Sequence, residues 1–112
     1  MDEISLFLRI DFAEGRRLGP GKVALIEAIS RHRSIAGAAR DLGMCYRAAW
    51  LLADSLNKMF VEPVVITLPG RRDGGTVVTP VGRALVDAFR RMEFLSRAAI
   101  AAEVEALQGK IR

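Results

Sequence analysis

Apolar and polar positions alternate along the first predicted element of the chain. In residues 5–12, SLFLRIDF, the apolar side chains of one face recur at every second position, at Leu6, Leu8, Ile10 and Phe12. A period of two is typical of a half-buried β-strand. The polar stretch over residues 13–19 that follows predicts a connector.

The pattern then changes to the spacing of three and four residues that marks an amphipathic helix. Pro20 suits the first turn of a helix, where its missing N–H costs nothing, and it opens a helix predicted over residues 20–32. Ser34 is a suitable N-cap for a short second helix of about two turns, which Gly43 ends. A third helix is predicted over residues 45–60.

The last third of the sequence predicts a hairpin followed by a long helix. Two β-branched runs over residues 64–67 and 76–79 flank LPGRRDGG, which is rich in turn formers and basic at its tip. Thr79 and Pro80 are a typical helix start, as N-cap and first helical residue. From residue 83 the chain has neither Gly nor Pro until Gly109, which predicts a helix of about 26 residues, near 40 Å long.

A strand, three helices, a hairpin and a long helix are the elements of a winged helix-turn-helix, a mainly α fold of the α+β type. We expect the first strand to pair with the hairpin in a three-stranded sheet. We also expect residues 1–80 to form the winged helix-turn-helix domain and residues 81–112 a long C-terminal helix for dimerisation, within a single structural unit.

The composition is that of one small globular domain, with 112 residues of which 51% are apolar and 27% charged. Seventeen Lys and Arg against thirteen Asp and Glu leave a net charge of +4, which favours an anionic partner. One cysteine and one histidine are too few for an ordinary zinc site. The sequence also lacks a Gly-rich phosphate loop and paired catalytic carboxylates, so we expect no enzyme activity, no cofactor and no metal.

Three features predict a cytoplasmic protein with no membrane partner. No run reaches the roughly 18 consecutive apolar residues that a membrane span needs. The start, Met1-Asp2-Glu3, is acidic, whereas a secretory signal begins with a basic region. The single cysteine cannot form an intrachain disulfide, which is typical of a reducing compartment.

The segment 34–50, SIAGAARDLGMCYRAAW, has the features of a helix-turn-helix. Ala39 supplies the small residue where the two helices cross closely. Gly43, four positions later, tolerates the positive φ of the turn, and Met44 supplies an apolar anchor. The alternative is any helical hairpin that ends in glycine.

The third helix separates into two faces on a helical wheel. The apolar arc, expected in the core, contains Ala48, Ala49, Leu52, Ala53, Leu56, Met59 and Phe60. Tyr46, Arg47 and Trp50 lie on the opposite, polar arc near the start of the helix. Arginine can bond guanine with two donors, tyrosine can bond phosphate, and an aromatic face can meet a thymine methyl group or a sugar. The alternative for Trp50 is packing against the hairpin or the first strand.

Three further residues are candidates for contacts with the DNA backbone. Arg71 and Arg72 at the hairpin tip suit phosphate or minor-groove contacts, and the alternative is a solvated loop. Ser34 can offer its hydroxyl and the N–H groups of the second helix to a phosphate, and plain capping is the alternative.

Apolar residues of the long helix recur in steps of three and four, which predicts a seam between two copies of the chain. The seam contains Leu85, Ala88, Met92, Leu95, Ala99, Ala102 and Ala106, and Phe89 widens it near its start. A core face within one chain explains the residues from Leu85 to Met92 equally well, but it explains the later residues poorly. We therefore expect a homodimer.

A family resemblance covers most of residues 6–95. It rests on the glycine-bearing hairpin and on four runs, LGPGKVALIEAI, SIAGAARDLGM, CYRAAWLLADSLNKMF and TPVGRAL. The sequence resembles the N-terminal DNA-binding domain of ModE-type regulators, the molybdate-responsive transcription factors, and more distantly the winged-helix domain of LysR-type regulators. The resemblance implies a dimer that binds a palindromic operator through the helix that begins at Cys45, with the hairpin as a further contact.

The sequence departs from that family in two places and in its extent. Cys45 stands where the family commonly has Ser, which implies a weaker cap and a weaker phosphate contact. The hairpin PGRRDGG replaces a longer glycine run with a single basic residue. Full-length members carry C-terminal oxyanion-binding domains, which the 112 residues do not contain, so we expect no molybdate sensing by this polypeptide and leave the effector unknown.

These observations predict a sequence-specific, homodimeric regulator of transcription that binds double-stranded DNA. The alternative from another class is a protein-interaction module built on a winged-helix dimer. Salt-dependent retention on duplex DNA separates the two.

Overall fold

The structure is a computed structural model that describes residues 4–69 and 75–112, so the predicted contacts Arg71 and Arg72 lie outside the described residues. The helices are α1 (Pro20–His32), α2 (Ile35–Leu42), α3 (Tyr46–Met59) and α4 (Pro80–Gln108). The strands are β1 (Ile10–Asp11), β2 (Arg17–Leu18), β3 (Val65–Thr67) and β4 (Thr76–Val78). The mainly α, winged-helix-like α+β class is confirmed.

The expected three-stranded sheet is wrong, because the described strands form two separate antiparallel pairs. Strand β1 pairs with β2, with Ile10 opposite Leu18, and β3 pairs with β4. Glu14 and Gly15 adopt positive φ values of 64° and 75°, which reverses the chain and returns it onto β1. The predicted connector thus contains a strand, and only two residues of the predicted strand 5–12 are paired.

The hairpin β3–β4 is hydrogen-bonded to the end of α1 and not to the first strand. The amide of Thr76 donates to the carbonyl of Arg33 at 3.1 Å. Arg33 ends α1 in the left-handed region, at φ 58°, and its own amide donates to the carbonyl of Ile29. This conformation turns the chain sharply between α1 and α2 and aims the carbonyl of Arg33 at the hairpin.

The turn between α2 and α3 has the predicted form. Gly43 adopts φ 68°, and its amide donates back to the last turn of α2. The amide of Met44 donates to the carbonyl of Ala39 at 2.9 Å, and the side chain of Ala39 is buried. The small residue, the glycine and the anchor therefore lie where the sequence predicted them.

One hydrophobic core joins all four helices and the base of the hairpin. Helix α1 supplies half of its large side chains, β2 adds Leu18, α3 adds Leu56, the start of the hairpin adds Val64, and α4 adds Phe89. The largest fully buried side chains are Phe89, Leu18, Leu25, Ile26, Ile29, Leu56, Val23 and Val64.

The start of α4 is fixed against the base of the hairpin by short polar contacts. The hydroxyl of Thr79 accepts from the amide of Gly82 at 3.1 Å, which caps the helix as predicted. The amide of Thr79 donates to the carbonyl of Val64 at 2.9 Å. A Cβ atom at Gly82 would lie 2.4 Å from that carbonyl oxygen and 2.7 Å from Cγ1 of Val78, so only glycine allows this close approach.

The molecule is elongated, with extents of 57 × 29 × 22 Å, because α4 continues beyond the core. We call residues 94–108 of α4 the arm, and residues 8–69 with 75–93 the head. Within residues 4–69 and 75–112, no helix is apolar and long enough to cross a membrane. The same residues hold no group of three His, Cys, Asp or Glu side chains that could bind a metal ion.

Candidate nucleic-acid interface

The first turns of α3 present an aromatic and basic surface. Tyr46 is 56% exposed and Trp50 46% exposed, and Arg47 between them is exposed as well. The three side chains line a shallow cleft of about 290 Å³. The structure therefore brings together three of the residues that the sequence singled out.

Trp50 also lines a second cleft, of about 340 Å³, between α3 and the hairpin. Val65, Ile66 and Thr67 of β3 form the far wall of that cleft. One part of the indole thus faces the hairpin, as the packing alternative supposed, while nearly half of the side chain remains exposed. Trp50 sits at the border between the helix surface and the hairpin.

The opposite face of α3 is largely the predicted core face. Ala49, Ala53 and Leu56 are buried, whereas Leu52, Met59 and Phe60 are partly buried against the core. Ala48 is exposed, so its placement in the core arc is wrong.

The N-terminus of α3 leaves backbone donors without a side-chain acceptor. Cys45 is the N-cap, its thiol is exposed, and it makes no capping hydrogen bond. The first N–H groups of a helix have no partner within the helix, and they carry a partial positive charge. This end of α3 therefore offers free donors beside Tyr46 and Arg47.

Ser34 behaves differently from Cys45, because its hydroxyl caps its own helix. Its Oγ accepts from the amide of Gly37 at 2.8 Å, and the residue is half-buried. This geometry matches the capping alternative, and a phosphate contact by Ser34 stays a prediction.

Asn57 is a residue whose role sequence reasoning missed. Its Oδ1 accepts from the amides of Val64 at 2.8 Å and Val65 at 3.1 Å, and its Nδ2 donates to the carbonyl of Val65 at 3.0 Å. On a helical wheel Asn57 lies on the same polar arc as Tyr46 and Trp50, and this position gives no indication of a backbone partner. This side chain ties α3 to the start of the hairpin and fixes the angle between them.

Two ion pairs organise the charges around the helix-turn-helix. Lys58 pairs with Asp54 at 2.9 Å, one turn apart on α3. Asp41 of α2 accepts from Arg31 at 2.6 Å and from His32 at 2.9 Å, both at the end of α1. The hydrogen bond from Arg31, followed by that from His32, lowers the pKa of Asp41 below its usual value. The arrangement joins α1 to α2 and leaves Arg47 outside both pairs.

The predicted dimer seam on α4 divides into a covered part and an open part. Phe89 is fully buried in the core of its own chain, so the prediction that it belongs to the dimer seam is wrong. Leu85 and Met92 are partly buried against the same core. The remaining seam residues are all exposed: Ala88, Leu95, Ala99, Ala102 and Ala106.

The arm also meets a neighbour that the sequence did not predict. Residues Ile4, Ser5 and Leu6 lie beside it and form one wall of an open groove of about 540 Å³. Ile100 and Val104 are among the residues of the opposite wall. The groove is mainly apolar, and it adds to the exposed hydrophobic surface along the arm.

The α2–turn–α3 unit, the hairpin and the following helix make this chain a winged-helix protein. No family model matches the sequence. The homologues of the chain are nevertheless molybdenum-pterin-binding proteins and ModE-type regulators, and the similarity covers most of it, as expected for a ModE-type N-terminal domain.

Three relatives illustrate the similarity. The molybdenum-pterin-binding protein MopA of Rhodobacter capsulatus is 42% identical over 87 residues, which are 77% of this chain and 33% of MopA. The molybdenum transport protein ModE of Azotobacter vinelandii is 35% identical over 94 residues, which are 83% of this chain and 35% of that protein. The transcriptional regulator ModE of Haemophilus influenzae is 26% identical over 94 residues, 83% of this chain and 37% of the regulator. The chain thus spans about a third of the length of the curated relatives it matches.

Proposed function

We propose that this chain is a ModE-like, DNA-binding regulator of transcription that binds duplex DNA as a homodimer, with α3 in the major groove. The observation that carries the proposal is the exposed cluster of Tyr46, Arg47 and Trp50 at the start of α3. In helix-turn-helix proteins, the N-terminal residues of the second helix contact base edges. The relative named as a transcriptional regulator supports the same function.

Each residue of the cluster has a distinct role in this proposal. Arg47 contacts base edges, because its exposed guanidinium lies in the first turn of α3 and can bond guanine with two donors. Tyr46 donates its hydroxyl to a phosphate, and Trp50 covers a sugar or a thymine methyl group. The free N–H groups after Cys45 bind a second phosphate. The hydroxyl of Ser34 and the first N–H groups of α2 bind another.

The hairpin supplies contacts that do not depend on sequence. Arg71 and Arg72 lie outside the described residues, and their role follows from their place between β3 and β4. Replacing both with Ala is expected to flatten the slope of log affinity against log salt by roughly two units, if each meets one phosphate. An unchanged slope would mean that neither arginine contacts a phosphate.

The arm is the proposed dimer contact. Leu95, Ala99 and Ala102 are exposed on the predicted seam, and the arm also exposes Phe94 and Leu107. Several exposed apolar side chains along one helix are typical of an interface with another chain. Light scattering at micromolar concentration is expected to give the mass of a dimer, and a monomer would contradict this part of the proposal.

A selection from random duplexes tests the proposed function. We expect the chain to enrich a two-fold symmetric site, and to bind it more tightly than a scrambled duplex by about 10³-fold or more at a fixed salt concentration. No enrichment, together with no salt-dependent retention on DNA, would favour the protein-interaction module instead. Added molybdate in a parallel titration shows whether an oxyanion acts on this chain.

A further inference from the structure

The arm leaves the head just beyond a three-residue polar contact, and further along it lies beside residues 4–6, which precede the head. Arg90 of α4 donates two hydrogen bonds to the carboxylate of Glu27 of α1. Its Nε donates to Oε2 at 3.0 Å and its Nη2 to Oε1 at 2.7 Å. Its remaining Nη1 donates to Glu93, one turn further along α4, at 2.7 Å. Beyond Glu93 the side chains of α4 are mostly exposed.

This contact differs in kind from the apolar packing around it. Leu85, Phe89 and Met92 hold α4 against the core, but hydrophobic burial has little directional preference. A bidentate pair between a guanidinium and a carboxylate has a fixed planar geometry, and it loses its strength when the groups rotate. The Glu27–Arg90 pair is therefore the directional restraint on α4 where it leaves the head.

A small rotation at this point has a large effect at the far end of the arm. The arm extends about 22 Å beyond Glu93, so a tilt of 10° displaces its end by roughly 4 Å. That displacement exceeds the spacing of about 3.4 Å between neighbouring base pairs. In a dimer joined through the arms, the tilt of each arm sets the distance and the angle between the two α3 helices.

We propose that Glu27 and Arg90 are positioning residues that fix the angle between head and arm, and that they thereby set the half-site spacing to which the dimer binds. The inference rests on the proposed function, since it needs both the dimer and the DNA contact by α3. Neither residue touches DNA in this account. They act only through the relative orientation of the two heads.

The only cysteine of the chain offers a direct measurement of that orientation. Cys45 is exposed and lies at the start of α3, so a spin label on it reports the position of the proposed base-contacting helix. Dipolar spectroscopy on the labelled dimer, without DNA, gives the distribution of distances between the two labels. The chain needs no further cysteine substitution for this experiment.

Four proteins form the main comparison: the unsubstituted chain, Arg90→Met, Glu27→Gln and the control Arg91→Met. A fifth protein, the double variant with Arg90→Met and Glu27→Gln, tests whether the two substitutions remove the same interaction. Arg91 is the exposed neighbour of Arg90, and its replacement removes the same charge from the same helix. We expect a narrow distribution for the unsubstituted chain and for Arg91→Met. Either Arg90→Met or Glu27→Gln should widen it about twofold or more, and the double variant should widen it no further, because both remove one interaction.

A second readout uses duplexes that carry two inverted copies of the selected half-site, separated by spacers that differ by single base pairs. The unsubstituted chain should prefer one spacing by about tenfold over its neighbours, since each added base pair turns the half-sites by roughly 35°. Arg90→Met and Glu27→Gln should reduce that preference to about threefold or less, with affinity for a single half-site unchanged.

The outcomes distinguish failure of the positioning role from failure of the proposed function. Equally narrow distributions in all four proteins overturn the positioning role of the pair, while the DNA-binding proposal stands. The absence of a dipolar signal overturns the dimer and the positioning role together, and binding to single half-sites still tests the role of α3. If Arg90→Met fails to fold by circular dichroism, Glu27→Gln carries the test, because it is nearly the same size and shape as the residue it replaces.

Discussion

The two halves of α4 carry apolar residues at the same spacing, but they meet different surroundings. In the first half, Phe89 is 0% exposed and belongs to the hydrophobic core, where α4 lies against α1 and β4. In the second half, Phe94 is 69% exposed and Leu95 is 48% exposed. A hydrophobic pattern therefore shows that a helix face needs a partner, but only the packing shows whether its own chain supplies that partner.

The largest expected effect comes from truncating one phenylalanine in each half. Phe89→Ala removes a buried ring from the core, which is expected to lower the free energy of unfolding by about 3–5 kcal/mol. Phe94→Ala should leave the stability nearly unchanged at low protein concentration and lower it only where the dimer forms. Urea denaturation at two protein concentrations measures both effects.

If Phe89→Ala does not fold, Phe89→Leu is the substitute, with an expected loss of about 1.5 kcal/mol or less. Equal losses for the substitutions at positions 89 and 94, independent of concentration, would contradict the division of α4 into a covered half and an open half.

A second prediction concerns the junction where α4 starts. Gly82→Ala places a methyl group against the carbonyl of Val64 and is expected to cost about 1–3 kcal/mol of stability. Gly21→Ala is the matched control, because it also lies in the first turn of a helix, directly after Pro20, and no atom lies within 4 Å of its Cβ position. The control should gain about 0.5–1 kcal/mol. Thermal unfolding of both variants checks the difference, and a loss in the control would mean that the close approach at Gly82 is not the cause.

A third prediction concerns the tie between α3 and the hairpin. Asn57→Ala removes three hydrogen bonds to the backbone of Val64 and Val65, and we expect a loss of about 1–2 kcal/mol. Asp54→Ala, one turn earlier on the same helix, breaks only a surface ion pair and should change the stability by less than about 0.5 kcal/mol. Chemical denaturation compares the two variants. Equal losses of stability would contradict the role of Asn57 in tying α3 to the hairpin.

The smallest expected effect is a pH dependence at the exit of the arm. The hydrogen bond from Arg90, together with the charges of Arg90 and Arg31, lowers the pKa of Glu27 despite its partial burial. A lowered pKa means that the pair contributes stability above the usual glutamate value, and that this contribution disappears as the pH falls through the folded-state pKa. The Glu27 side chain is still 32% exposed, so solvent screening keeps the contribution to at most about 1 kcal/mol. The stability difference between the chain and Glu27→Gln should shrink from pH 6 to pH 3, as measured by urea denaturation, whereas a constant difference would contradict it.

Sequence alone predicted the parts of the fold that local interactions determine. Ala39, Gly43 and Met44 lie within six residues of one another, so the turn between α2 and α3 follows from local backbone preferences. Pro20, Thr79 and Pro80 mark helix starts for the same reason. The helical wheel likewise identified the exposed cluster of α3, since that pattern depends only on the helical period.

The features that sequence missed depend on contacts between distant segments. The pairing of β1 with β2 depends on the left-handed conformation of Glu14, which a glutamate at this position does not predict. The three bonds of Asn57 and the pairing of Glu27 with Arg90 require the tertiary fold, because their partners lie 7 to 8 and 63 positions away. Phe89 belonged equally well to a core or to a dimer seam until the packing of α4 was known.

The proposed function requires that the exposed surface of α3 contacts bases. Arg47→Ala tests this contact most directly. The variant should fold normally, because Arg47 is exposed and lies away from the buried face of α3. Its affinity for the selected site should fall by about 1–3 kcal/mol in free energy, and its affinity for a scrambled duplex much less, with both measured at one salt concentration. An equal fall for both duplexes would show that Arg47 meets only phosphate, and would contradict sequence recognition by this face of the helix.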